Sequence, residues 1–170
     1  YITDQFIVND KGERVEGNAF GVNTAQESKL PVDARQMPVY ECTLAPGDVK
    51  YILPVYGAGL WGPIWGYIAV DNDGSTIYGA YFAHQGETPG LGAEIEKPAF
   101  SDQFNGLHLF KDNKFLPVNV VKAGQPSVHG EDTVDGISGG TITSKGVASM
   151  IDNCITGYKA FLETLSSKQN

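Results

Sequence analysis

Toward the C-terminus, Val147, Met150, Ile151, Cys154, Ile155, Tyr158, Phe161, Leu162 and Leu165 recur at spacings of three and four. That period lines them up on one stripe of a single amphipathic helix, and such a stripe needs an apolar surface to cover. Thr143 or Ser144 supplies a hydroxyl to cap the start of the helix. The surface is expected from strands upstream. Residues 51–56 form a strand-like run, and residues 67–70 and 76–84 flank the turn Asp71-Asn72-Asp73-Gly74. An Asp-Gly step supplies the positive φ of a tight hairpin, and strands this aromatic and β-branched suit an antiparallel sheet. The expected fold is therefore α+β: a single domain over residues 1–170, with an antiparallel sheet packed by helices.

The rest of the chain is read more coarsely. Residues 6–8 enter a turn at Asn9-Asp10-Lys11-Gly12, and the remainder of residues 1–40 is weakly patterned, with Pro31 and Pro38 as punctuation. Pro98 suits the first turn of a short helix reaching Phe104. Residues 114–122 read as a strand that Pro117 confines to a sheet edge. There is no internal repeat or low-complexity tract.

Several function classes are excluded early. A net charge of −8 and a pI of about 4.7 argue against nucleic acid, which calls for clustered Lys and Arg. No apolar stretch approaches the roughly 18 residues of a membrane span. Cys42 and Cys154 form no metal-ligand spacing, so no metal site is expected. Cys154 falls on the helix stripe, where a buried thiol is the plain reading, and a Cys42–Cys154 disulfide stays open. Glycine is abundant, 21 residues where about 7% is usual, as tight turns or close backbone approach to a ligand require.

The segment that carries chemistry precedes the helix: Asp135-Gly136-Ile137-Ser138-Gly139-Gly140-Thr141-Ile142-Thr143-Ser144. A loop rich in glycine and hydroxyls, feeding a helix N-terminus with its unsatisfied N–H groups and positive dipole end, is a natural seat for a phosphate. Ser and Thr there also serve as plain caps. Lys145 stands where it could add positive charge. The spacing is neither that of a P-loop nor that of a dinucleotide-binding GxGxxG.

Asp135, Ser138, Gly139 and Thr141 resemble the flavinylation motif D-x-x-[S/T]-G-A-T, with Gly140 standing where alanine is usual. His84-Gln85-Gly86-Glu87-Thr88-Pro89-Gly90-Leu91-Gly92 is similar to the H-x-x-E-T-P-G-L-G stretch of the same family. The run of residues 59–66, Gly-Leu-Trp-Gly-Pro-Ile-Trp-Gly, looks like its sodium-pump branch. The family is that of FMN-binding domains, which includes the C subunit of the Na+-translocating NADH:quinone oxidoreductase and the G subunit of the related Rnf complex.

The resemblance implies FMN joined through its phosphate to Thr141 by a flavin transferase. It implies electron transfer between neighbouring subunits of a membrane complex with quinone reductase and sodium-transport activity. The place implied is the outer, periplasmic face of the bacterial cytoplasmic membrane, with an N-terminal anchor upstream of Tyr1. Ser138, Gly139, Gly140 and Thr143 are then phosphate or ribityl contacts, and Asp135 serves recognition by the transferase. Glu87 and Thr88 face the ring or ribityl chain, while Leu91, Trp61 and Trp65 line an apolar slot. On composition alone Glu87 reads equally as a solvated carboxylate, the tryptophans as core or interface, and His84 as a structural histidine. The alternatives are an Rnf-type subunit or a free-standing extracytoplasmic FMN-binding module. A hydrolase is disfavoured, because no GxSxG elbow accompanies His84, His108 and His129.

Overall fold

In the computed structural model, which describes residues 2–168, six strands form one antiparallel sheet. They are β1 (Ile2–Val8), β2 (Arg14–Val15), β3 (Met37–Ala45), β4 (Asp48–Ala58), β5 (Pro63–Asp71) and β6 (Ile77–His84), in the spatial order β2-β1-β3-β4-β5-β6. Alternation decides what is buried: Ile64, Gly66, Ile68 and Val70 of β5 face inward, and Trp65 and Tyr67 face the other way. The β5–β6 turn is the expected one, with Gly74 at φ 73° and its N–H donating to the Asp71 carbonyl. Asp73 fastens the turn by accepting from the Ser75 and Thr76 N–H groups and the Thr76 hydroxyl.

Four α-helical segments follow the chain: α1 (Thr24–Glu27), α2 (Pro98–Ser101), α3 (Thr141–Gly157) and α4 (Lys159–Ser167). Val147, Met150, Ile151, Cys154 and Ile155 of α3 are buried, and α3 packs chiefly on β4. Phe100 and Phe104 close the far side against Phe82, with ring centroids 5.7 and 5.2 Å away. Burying such side chains contributes about 1.5–3 kcal/mol each.

The expected single C-terminal helix is divided in two at Tyr158. The Tyr158 hydroxyl donates to the Pro38 carbonyl at 2.7 Å, and its backbone sits at φ −88°, ψ 0°. That bend redirects the second half of the stripe, so Phe161 meets Phe6 and Tyr51 edge-on. Thr143 and Ser144 do not cap the helix: it begins at Thr141, and its N-cap is Gly140.

The expected strand over residues 114–122 is also broken. Its ends form β8 (Lys114–Phe115), paired with β7 (Phe110–Lys111), and β9 (Asn119–Val121), paired in parallel with β10 (Thr133–Asp135). Neither joins the main sheet, and Pro117, with no N–H to offer a ladder, lies between them. β3 runs through Pro38 opposite Ile7, in a region the sequence left unassigned. No disulfide joins Cys42 to Cys154, and the Cys154 thiol donates instead to the Tyr56 carbonyl at 3.4 Å. Among the described residues, no helix is long and apolar enough to cross a membrane.

Candidate functional site

Three connections converge on the first turn of α3: the tip of the β4–β5 hairpin, the turn after β6, and the loop from β10. Each is fastened from behind. At the hairpin tip the Gly59 N–H donates to the Gly62 carbonyl at 2.8 Å. The Leu60 and Trp61 N–H groups both donate to the Glu87 carboxylate, also at 2.8 Å. In the turn after β6, the Thr88 carbonyl accepts from the N–H groups of Leu91 and Ala93.

The loop from β10 is held by backbone, by the Gln103 side-chain amide and by one buried hydroxyl. Gln103 clamps the Asp135 backbone from both sides, and the Gly136 N–H donates to the Val121 carbonyl. Ser144 Oγ accepts from the Ile137 N–H and donates to the Gly140 carbonyl. Gly139 sits at φ 77°, and a Cβ there would stand 2.7 Å from Leu91 Cδ2, so both backbone and space call for glycine.

Between the three connections lies an open cleft of about 220 Å³, walled by Leu60, Trp61, Thr88, Leu91, Gly92 and residues 139–143. Its lining carries no charged side chain. The helix N-terminus that enters it has no side-chain cap and no acidic residue in its first turn. First-turn N–H groups left to the cleft make a seat for an anion. The apolar rim is uncommonly bare: Leu60, Trp61, Leu91 and Ile142 are exposed by 48, 67, 43 and 56%. Large apolar side chains left in water around a polar floor are the signature of a ligand or partner surface.

Several residues singled out in the sequence line this cleft. Thr141 opens α3 with an exposed side chain at the cleft, beside Gly139, Gly140 and Thr143, and Thr88, Leu91 and Trp61 lie across from it. Others fall elsewhere. Ser138 lies outside the lining, Asp135 is exposed on β10, and Trp65 is on the opposite face of the sheet. Lys145 is exposed and does not line the cleft.

Glu87 is neither solvated nor in the cleft. It is 3% exposed and lies behind the wall, where the Thr143 hydroxyl donates to it at 2.5 Å. Burial pushes its pKa up, but the hydrogen bonds from Thr143, Trp61 and Leu60 outweigh that and hold it below the ordinary value. His84 Nδ1 accepts from the Glu87 N–H at 3.0 Å, which makes this nitrogen the unprotonated one and gives the histidine a structural place.

The sequence reading missed Leu60, Gly92 and Ile142. Ile142 leaves a trace in the sequence, being an apolar helical residue that falls off the core stripe.

Residues 59–156 match the model of a family described as FMN-binding domain. The C subunit of the Na(+)-translocating NADH-quinone reductase of Vibrio vulnificus is 36% identical over 168 residues, covering 89% of this chain and 66% of that protein. Its counterpart from Vibrio anguillarum is 43% identical over 170 residues with the same coverage. The chain thus spans just under two thirds of the length of these relatives. Among solved structures, the corresponding C subunit from Parabacteroides distasonis is 54% identical, with a TM-score of 0.87 over 95% of this chain and 78% of that one. Shewanella oneidensis NqrC is 26% identical, with a TM-score of 0.78 over 96% and 84%.

Proposed function

The chain belongs to the FMN-binding domain family, in the branch of the C subunit of the Na+-translocating NADH-quinone reductase, and from that premise we propose that its cleft carries FMN as a phosphoester on Thr141. The observation that carries this is the placement of the Thr141 side chain, exposed on the uncapped first turn of α3 and flanked by Gly139 and Gly140. FMN, when bound, supplies the redox chemistry, taking up and releasing electrons.

The chain's own residues seat, wall and open the site. The first-turn N–H groups and the helix dipole hold the phosphate, and Gly140 brings no side chain between it and the backbone. Leu60, Trp61, Leu91 and Ile142 provide apolar walls for the ring system. A cleft of about 220 Å³ is smaller than the ~300–1,000 Å³ of pockets that bury a whole ligand, so much of the flavin stays accessible to another electron carrier. No residue of the site is asked to move a proton, and the domain by itself has no turnover.

In this reading the domain relays electrons among subunits of a membrane complex that couples quinone reduction to sodium transport. It does so at the outer face of the cytoplasmic membrane, after a flavin transferase has made the phosphoester. The test is the intact mass of the domain exported together with an active flavin transferase. The expected result is a gain of one FMN less water, mapped to Thr141 and abolished by Thr141→Ala. An unmodified wild-type mass, with the transferase active on a control substrate, overturns covalent attachment.

A further inference from the structure

Glu87 is an unusual residue to find one layer behind an apolar cleft. Its carboxylate is almost wholly buried, yet among the described residues no Lys or Arg forms an ion pair with it. A buried carboxylate with no Lys or Arg partner, and only His84 as a nearby titratable base, ordinarily takes up a proton. Here both oxygens are instead engaged by donors: Oε1 by the Leu60 N–H and the Thr143 hydroxyl, Oε2 by the Trp61 N–H. The site is built around it, since a Cβ on Gly59 would stand 2.4 Å from Oε1, and one on Gly92 would strike the Thr143 hydroxyl at 2.3 Å.

All three donors belong to residues that line the cleft. One residue's thickness therefore separates a localised negative charge from the cleft interior, in a region where little water screens it. The same carboxylate ties the hairpin tip to the first turn of α3, fixing one wall against the other.

We infer that Glu87 is a positioning residue with an electrostatic consequence: it holds the Leu60–Trp61 wall in place and, as a fixed negative charge, keeps the flavin's reduction potential low. This rests on the proposal that FMN occupies the cleft. A flavin gains negative charge on reduction, so an anionic neighbour disfavours the reduced form and lowers the potential. A neutral isostere should raise it.

The experiment compares wild type, Glu87→Gln and Thr143→Val, each flavin-loaded and verified by intact mass, in a spectroelectrochemical titration at one pH. E87Q removes the charge and keeps the shape. T143V removes one donor and leaves the Leu60 and Trp61 N–H groups on the carboxylate, and carboxyl-carbon NMR at the titration pH verifies that Glu87 stays ionised in it. The expected result is an upward shift of the midpoint potential in E87Q and no upward shift in T143V. An unchanged or lower potential in E87Q overturns the inference, and so does an equal rise in both variants, because loosening of the wall alone would then explain it.

Should E87Q fail to fold, carboxyl-carbon NMR of the wild-type domain decides. Glu87 ionised at pH 5 supports a fixed charge, and Glu87 protonated at that pH removes it. Failure of the underlying proposal looks different, as a wild-type protein that acquires no flavin at all.

Discussion

Gly146→Ala sets two effects of known sign against each other in the helix that carries Thr141. Gly146 is interior to α3, where alanine is favoured over glycine by about 1 kcal/mol. A Cβ at this position, however, would stand 2.3 Å from the Ala58 carbonyl oxygen, at the end of β4. A carbon and a carbonyl oxygen rest no closer than about 3.3 Å, so helix and strand must part by roughly 1 Å. The obstacle is strand backbone, not the flexible end of a side chain. A gap of that size forfeits a quarter to a half of each van der Waals contact along the seam, and overpacking of this kind costs about 1–3 kcal/mol. Strain exceeds propensity, and the net expectation is a loss of about 1 kcal/mol, or a melting temperature about 2–4 °C lower for a domain of this size. The assay is urea unfolding followed by circular dichroism, with Ser149→Ala on the exposed side of the same helix as control. The control should gain a few tenths of a kcal/mol. Because the separation opens beside the cleft, flavin loading of G146A should also slow. If G146A proves more stable than wild type by the full propensity term, with an unchanged m-value, the close helix–strand contact is refuted.

Thr141→Ala removes an exposed side chain, so unfolding free energy should move by less than about 0.5 kcal/mol even though covalent flavin is lost, which separates a site residue from a structural one. Gly139→Ala forces a left-handed conformation at φ 77° and strikes Leu91. A cost of about 1–2 kcal/mol in urea unfolding is expected, with reduced flavin loading by absorbance. Tyr158→Phe leaves the Pro38 carbonyl without its buried donor and should cost about 1–2 kcal/mol in the same assay. Glu131 contributes to the acid dependence alongside Asp73, Glu87 and Asp132, which are also held low: burial pushes its pKa up, but donors from Val128, its own backbone, His129 and Asn119 bring it down to about 2 from 4.5. A depressed carboxylate stabilises the fold above its unfolded pKa. About 3 kcal/mol should therefore be present at neutral pH and drain away as pH falls from about 4.5 toward 2. Glu131→Gln should flatten that part of the stability–pH curve, and an unchanged curve would count against this assignment.

Periodicity made much of this legible. The apolar stripe named the buried side of α3 and α4 residue by residue, and the Asp71–Gly74 turn placed the β5–β6 hairpin. The motif around Thr141, the segment from His84 to Gly92 and the run of residues 59–66 fall on the three sides of the cleft. What periodicity could not register was a bend that preserves the stripe: Tyr158 turns the chain through a hydroxyl bonded to Pro38, 120 residues away in sequence. Nor could it admit β3, whose Pro38 reads locally as a breaker but pairs with Ile7 of β1 at a level where the ladder to β4, which begins at Tyr40, does not reach.

The glycine and hydroxyl loop feeding a helix is a local feature and legible in the sequence alone, because turn formation and the free N–H groups of a helix start depend on neighbours within a few residues. The position of Glu87 is the opposite case. A carboxylate in a glycine-rich turn reads equally as solvated or as facing a ligand, and only the tertiary structure, by bringing Leu60, Trp61 and Thr143 around it, makes it a buried charge behind the cleft. Burial and hydrogen bonding between residues 26 to 56 positions apart are properties of the packed chain, and no local pattern encodes them.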